Sequence, residues 1–521
     1  MCKLRKRRCD SREPCSCCLR YEYQCTYKPS FRGKPTVSRS SVTIDDKQQP
    51  HAASDRAGAN QAQMEANSGT AFPHLLGVRL NPQSAPKVHG FSWNLGPRGE
   101  PPDPVINIED LISKEEMQDL ASHYLKRVHP VYGVLDSEDL QQKINARWFN
   151  PASVVGYDAV FCGVAALGSL YSGGKEHPKE GAMVQAAKEK LESTKFSKTT
   201  LFHDATAWIL RTIYLRTTNC PHASWMASCS TMHIIEAIGA HQDPELVSLV
   251  YSDTADIGFN EERQRRLFWV ATVLNSWISY EYGRSRVIPR GVSCKIPQPR
   301  QDDFTTELIS LYQISEQLDP DRDNKALDFE ETLSRIEGLI LSHDALILSQ
   351  SNLALTIYRR LRIASLNISN NVLARIMQFG NRGLDAAVRL AEDRCPWWHV
   401  ANLPFQFVCI LLAIDTKDSL SHIGPALRSF RAITRHYNTP TIRTALETVE
   451  SLVCLFQAKK EQDSVILRES LQEGDRRPVE QGSTTPQGLD ITSWLGGTEN
   501  LALPDTFDWD WNALLDTQVF D

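Results

Sequence analysis

The chain has no histidine before His51, no apolar run of the roughly 20 residues that cross a bilayer, and no lysine or arginine from Pro478 to Asp521. Each absence excludes something. Without an early histidine, the six cysteines of the first 25 residues do not suit a finger that needs histidine ligands beside them. Without a long apolar run no membrane span is expected, and the best candidate, 405–414, reads as a buried helix. Residues 1–35 hold no apolar signal segment, so a reducing compartment is expected and disulfides are disfavoured. Catalytic signatures are also missing: there is no P-loop, no Gly-x-Ser-x-Gly elbow, no His-Glu-x-x-His and no dinucleotide fingerprint. An enzyme is therefore not expected.

What is present is concentrated at the two ends. Cys2, Cys9, Cys15, Cys17, Cys18 and Cys25 are threaded through the basic run Lys3-Leu4-Arg5-Lys6-Arg7-Arg8. Thiolates at short fixed intervals wrap a soft cation such as zinc, and a block of Lys and Arg calls for a polyanion opposite it. The net charge of -6 hides an asymmetry: residues 1–35 carry ten Lys and Arg against three acids, whereas residues 478–521 carry eight acids and no base. A basic head and an acidic tail imply different partners. The tail places Trp494, Phe507, Trp509, Trp511 and Leu514 among its acids, a composition suited to a short helix that folds into a partner's groove. The other seven cysteines are scattered through apolar surroundings, as free buried thiols would be.

Between the ends, residues 35–108 have the Ser, Gln, Asn, Gly and Pro content of a disordered linker without a heptad seam. From 109 to about 460 apolar residues recur at three- and four-residue steps, as in Leu267, Val270, Ala271, Leu274 and Ile278. Helices are predicted over 154–171, 205–216, 223–238, 266–281, 346–361, 372–391 and 403–414. After Gln462 the pattern fades, and 461–521 is expected to be a disordered acidic tail. The fold class is thus mostly α: a small metal-bound head (1–34), a disordered linker (35–108), a large all-helical regulatory domain (109–460) and the tail.

Written out, residues 2–27 read CKLRKRRCDSREPCSCCLRYEYQCTY. This resembles the fungal binuclear zinc cluster family (Zn2Cys6 transcription factors), with pattern C-x2-C-x6-C-x5-12-C-x2-C-x6-8-C. Cys2, Cys9, Cys15, Cys18 and Cys25 fit its second to sixth cysteines, and Asp10, Pro14 and Thr26-Tyr27 stand where the family habitually has them. The family's first cysteine would lie two residues before Met1. A misplaced start codon, substitution by the extra Cys17, and a head that binds zinc and DNA poorly all remain open explanations. The resemblance implies two Zn2+ ions bridged by thiolates. It implies that Arg5 and Lys6 reach base edges, commonly of a CGG triplet, while Lys3, Arg7, Arg8 and Arg20 contact phosphates. The basic run also suits nuclear import.

The body resembles the fungal-specific transcription factor domain in two stretches. One is Leu120 to Leu135, LASHYLKRVHPVYGVL; the other is Arg265 to Pro297, an Arg-Arg-x-Phe-Trp helix that ends in Gly-Arg. Asn275 stands where an Asp is common and Ser285-Arg286 where Pro is common, and neither change touches proposed chemistry. His129, His233 and His241 read as structural histidines. Arg265, Arg266 and Arg284 read as helix caps or partners of acids rather than an anion site, and Trp397-Trp398 as core packing. The expectation is a nuclear regulator of RNA polymerase II transcription, an activator whose partners are double-stranded DNA and, through the tail, the transcription machinery. A homodimer and a small-molecule inducer are further expected partners; a membrane is not. The competing expectation is a helical sensor or interaction protein whose incomplete cluster no longer binds DNA directly.

Overall fold

The computed structural model describes residues 107–473, apart from 151–153, 155, 174–175, 195–201, 219, 244–259, 320–321, 323–325 and 365. The predicted head, linker and distal tail lie outside these residues. Every regular element described is helical, and pairing is limited to one isolated bridge between Arg300 and Asp303.

In chain order the helices are α1 (Ile108–Leu111), α2 (Lys114–Arg127), α3 (His129–Tyr132), α4 (Ser137–Phe149), α5 (Asp158–Leu170), α6 (Glu180–Thr194), α7 (Phe202–Thr217), α8 (Pro221–Ala237) and α9 (Glu261–Glu281). They continue with α10 (Thr305–Ser315), α11 (Ala326–Glu337), α12 (Asp344–Ile363), α13 (Asn370–Glu392), α14 (His399–Ile414), α15 (Lys417–His436) and α16 (Pro440–Glu473). Local chemistry fixes where many of them begin. Ser113 and Glu116 form a reciprocal capping box before α2, and Asp136, Asn260, Ser369 and Thr416 cap α4, α9, α13 and α15. Pro221 opens α8 at a position where its missing N–H is not needed.

The helices pack as two sets that share one continuous apolar core. In the first, α5 is buried on nearly every face between α2, α6 and α7, and α8 and α9 close behind α7. In the second, α12 and α13 pair along their length, with α14 and α15 laid across them. Charge ties the elements where apolar contact ends. Arg147 of α4 donates to both carboxylate oxygens of Asp158 at the start of α5, at 2.8 and 3.1 Å. Arg127 of α2 donates to the carbonyls of Tyr171 and Asp393, 2.6 and 3.0 Å away, and so links the end of α5 to the end of α13.

Two of the boundaries that differ from the sequence expectation show the physical reason. A helix is predicted from 403, yet α14 begins at His399 and contains Pro404. Burial of His399, Val400 and Leu403 holds the first turn although the proline supplies no hydrogen bond. At the other end, α16 runs on to Glu473, past the expected limit of 460. Its inner face (Ile442, Ala445, Leu446, Val449, Leu452, Val453, Phe456) packs on the core, but residues 457–471 are exposed on all sides. A helix without a buried face leaves no amphipathic stripe to read.

Close backbone approach sets a testable limit. A Cβ on Gly168 of α5 would fall inside the contact shell of the Leu120 carbonyl in α2, whereas one on Gly181 of α6 meets nothing within 4 Å. Gly168→Ala is expected to destabilise the chain by about 1–3 kcal/mol through overpacking. Gly181→Ala should be neutral or stabilising by up to about 1 kcal/mol. Urea unfolding followed by circular dichroism separates them, and equal midpoints would contradict this packing.

Candidate functional site

The predicted metal ligands Cys2, Cys9, Cys15, Cys18 and Cys25, the extra Cys17, and the predicted DNA contacts Lys3, Arg5, Lys6, Arg7, Arg8 and Arg20 lie outside the described residues, as does the acidic tail. Among the described residues no group of three or more His, Cys, Asp or Glu could hold a metal ion, and Cys162, Cys220, Cys229, Cys294, Cys395, Cys409 and Cys454 are free thiols.

The second motif stretch, Arg265 to Pro297, is a clamp. Arg265 donates from Nε and Nη2 to the two oxygens of buried Asp243, each at 3.2 Å, and Asp243 also accepts from the Lys295 backbone at 3.0 Å. Arg266 is 1 % exposed and donates to Asp303 at 2.6 Å and to the Gln298 carbonyl at 2.8 Å. The two arginines therefore pair with acids and bind the segment after α9 back onto that helix. They sit in the first turns of α9, so they cap no carboxyl end. Arg284 stacks over the Trp225 ring at 5.1 Å.

Of the family departures, Asn275 and Arg286 make side-chain contacts, and Ser285 acts through its backbone. Asn275 donates to Ser228 at 3.0 Å and accepts from the Val287 backbone at 2.8 Å, which joins α8, α9 and the following loop. The Ser285 carbonyl accepts from the Trp225 indole at 3.0 Å, and Arg286 pairs with Glu316 and Asp319 at 2.6 and 2.8 Å. Of the three histidines singled out in the sequence, His129 and His241 are in the body, with pKa values lowered mainly by burial, and His233 is exposed.

The residues that do converge were not singled out as a group. At the end of α7, Arg216 (5 % exposed) donates from Nη2 to both oxygens of Glu281 at the end of α9, at 2.9 and 3.1 Å. His399, first residue of α14, sets Nε2 3.7 Å from the same carboxylate. Trp398 lies under the Arg216 guanidinium, 5.4 Å from ring centre to Cζ, and meets Tyr282 edge-on at 6.0 Å. Trp397 packs in the core against Tyr132 and Tyr171, with ring centres 5.7 and 5.5 Å away. Of the tryptophan pair, then, Trp397 is core and Trp398 belongs to the charged cluster. A cavity of about 20 Å³ adjoins them, lined by Tyr132, Arg216, Trp277, Ser349, Trp398 and His399 among others.

Burial, reinforced by Arg216 and Arg359, holds the His399 pKa well below the ordinary histidine value, so the ring is neutral at physiological pH. Burial pushes the Glu281 pKa up while Arg216 pulls it back, and the 20 % of its side chain still in solvent tempers that push. The two groups act oppositely. A lowered histidine gives stability that is complete above the unfolded pKa near 6.5 and is lost as pH falls below it, at up to about 1.4 kcal/mol per pH unit. A raised carboxyl loses its share as pH rises above the ordinary carboxylate range. His399→Asn is expected to flatten the fall in stability between pH 6.5 and 5.5 by about 1 kcal/mol, measured by urea unfolding across that range. An unchanged slope would mean that His399 titrates as in the unfolded chain.

Comparison with known proteins matches two family domains in this chain. Residues 1–34 match the fungal Zn(2)-Cys(6) binuclear cluster domain, and residues 121–372 match the fungal specific transcription factor domain. The chain is 73 % identical over 518 residues to the protein named Transcription factor kojR of Aspergillus oryzae, which spans 99 % of this chain and 93 % of that protein. It is 35 % identical over 474 residues to Protein RDR1 of Gibberella zeae, covering 88 % of this chain and 86 % of that one. It is 32 % identical over 545 residues to Protein RDR1 of Saccharomyces cerevisiae, covering 99 % and 94 %. The chain belongs to the fungal Zn(2)-Cys(6) binuclear cluster family: it is a zinc-binding transcription factor that regulates transcription by binding DNA through its cluster domain.

Proposed function

We propose that this protein is a nuclear activator of RNA polymerase II transcription that reads CGG-type half-sites. The reading rests above all on one coincidence, cysteines at the family's intervals with six basic or apolar residues, KLRKRR, held between Cys2 and Cys9. A segment this short cannot build an apolar core. Structural zinc replaces that core with binding energy on the order of 10 kcal/mol or more, and it fixes the basic side chains in one arrangement. Thiolates suit zinc, and two four-coordinate ions that share bridging sulfurs are the expected complement. Cys2, Cys9, Cys15, Cys18 and Cys25 are the proposed ligands, with Cys17 as a further donor.

Arg5 and Lys6 supply the base contacts in this reading, because a guanidinium or ammonium matches the O6 and N7 acceptors of guanine. Lys3, Arg7, Arg8 and Arg20 neutralise phosphates and position the head. The helical body responds to a small-molecule inducer or pairs two copies, and the acidic, aromatic tail recruits the transcription machinery. No helix among the described residues is long and apolar enough to cross a membrane.

Native mass spectrometry of the purified chain is expected to show two zinc ions, with loss of metal in Cys9→Ser and Cys25→Ser; a metal-free wild-type chain would remove the basis of the reading. Arg5→Ala is expected to weaken binding to a CGG duplex by about 1–3 kcal/mol and to relax specificity at one base pair. Arg20→Ala should weaken binding to all duplexes alike and lower the salt slope by about 1. Fluorescence anisotropy over a salt series reads both. For the tail, residues 478–521 fused to an unrelated DNA-binding domain should raise reporter output; silence or repression would overturn the activator reading.

A further inference from the structure

We propose that the connecting segment from Arg284 to Arg300, between α9 and α10, is a docking surface for the acidic, aromatic tail of the same chain, residues 478–521. The proposal rests on the reading of that tail as a binding segment and names where on the body it binds.

The surface is fixed by its backbone. The Ser285 carbonyl accepts from the Trp225 indole at 3.0 Å, and the Val287 N–H donates to Asn275 at 2.8 Å. The N–H groups of Ser293 and Cys294 donate to the His241 carbonyl at 3.1 and 3.2 Å, and that of Gln298 donates to Glu262 at 2.7 Å. Pro289, Cys294 and Pro297 are buried. With these groups turned inward, Ile288, Val292 and Ile296 stand outside at 67, 46 and 45 % exposure. They recur at every fourth residue of an anchored backbone, so the exposed aliphatic side chains are a built surface, of the kind that marks an interaction site.

Charge sets the kind of partner. Residues 282–301 carry four arginines and one lysine and no acid. Arg286 is spent on Glu316 and Asp319, but Arg284, Arg290 and Arg300 are exposed, and no carboxylate among the described residues pairs with them. Apolar side chains fringed by cations fit a segment whose large apolar side chains are set among carboxylates. The other group of exposed aliphatic side chains, Val465, Ile466, Leu467 and Leu471 on α16, sits among charges of both signs and has no such bias.

The chain supplies that partner itself. Residues 478–521 hold eight acids and no base, and Asp505, Asp508, Asp510 and Asp516 are interleaved with Phe507, Trp509, Trp511, Leu514 and Leu515. α16 ends at Glu473. The stretch of about 30 residues from there to Phe507 spans about 100 Å when extended, against a radius of gyration of about 20 Å for a folded domain of several hundred residues, so the tail reaches any face of the body. Linkage in one chain gives it a local concentration of about a millimolar, which holds a contact too weak to persist between separate molecules. Two other occupants fit less well. A second copy of this surface would set like charges against each other across a twofold axis. A DNA backbone would answer the arginines but leave the three aliphatic side chains in water.

Photo-cross-linking of the full chain carrying Trp511→p-benzoylphenylalanine, which keeps an aromatic group at that position, tests the contact. Heavy-isotope-labelled wild-type chain is mixed in, and the products are mapped by mass spectrometry. The cross-link is expected on the peptide that holds Ile288, Val292 and Ile296 of the same, unlabelled chain. Arg290→Glu, at an exposed residue with no ion-pair partner, should cut the yield about fivefold, the upper range for one exposed ion pair, and Asp508→Arg added to it should restore part of the loss. No product within 284–300, a product only on the labelled chain, or a yield unmoved by Arg290→Glu would each overturn the proposal. An unmoved yield with weakened DNA binding in Arg290→Glu would assign the surface to phosphates instead. Activation by the tail fused to an unrelated DNA-binding domain, without the cross-link, ends the docking alone; a silent fusion with the cross-link present removes the activator reading and leaves the docking standing.

Discussion

The pair between Arg216 and Glu281 is the interaction around which the charged cluster at the ends of α7 and α9 and the start of α14 is arranged. It closes the ends of α7 and α9 against each other, and it sets the charge against which His399 of the second set is placed. Removing either partner would leave a largely buried charge uncompensated, which is far more costly than the pair itself is stabilising. The same logic explains why Trp398 lies under the guanidinium. An indole face accepts a cation without demanding a hydrogen bond, so Arg216 can be enclosed although Nε has no protein partner.

How much of this could be read from the sequence depended on whether the information was periodic. The stripe Leu267, Val270, Ala271, Leu274, Ile278 predicts a helix over 266–281, and α9 covers it and starts earlier, at Glu261, where Asn260 supplies the cap. The first turns of α9 hold Arg265 and Arg266, whose charge conceals that they are buried. Long-range pairing with Asp243 and Asp303 is what makes their burial tolerable, and no local pattern announces it. His399 was invisible for a related reason. It stands beside Trp397-Trp398, a run that reads as core, and its partners Arg216 and Glu281 are far away in the chain. Asn275 and Arg286, departures from a family habit that touch no proposed chemistry, make long-range contacts around the end of α9 that no local pattern announces.

The ends of the chain follow a different physics from the body. In 109–460 apolar burial is continuous, and charged residues are arranged around it as clamps. In 1–34 the sequence has few apolar residues and matches a domain that binds zinc through cysteines. In 478–521 the sequence carries charge of one sign and no basic residue within the segment.

The charged cluster is a poor source of stability by itself, because well-packed apolar residues in place of Arg216 and Glu281 would be at least as stable as the ion pair. Its enclosure is tolerable because the groups answer one another: Arg216 Nη2 donates to both Glu281 oxygens, and the Trp398 indole covers the guanidinium. The same holds for the Arg-Arg clamp on α9, where Asp243 and Asp303 answer Arg265 and Arg266, so that charge closes the helix ends that the shared apolar core leaves open.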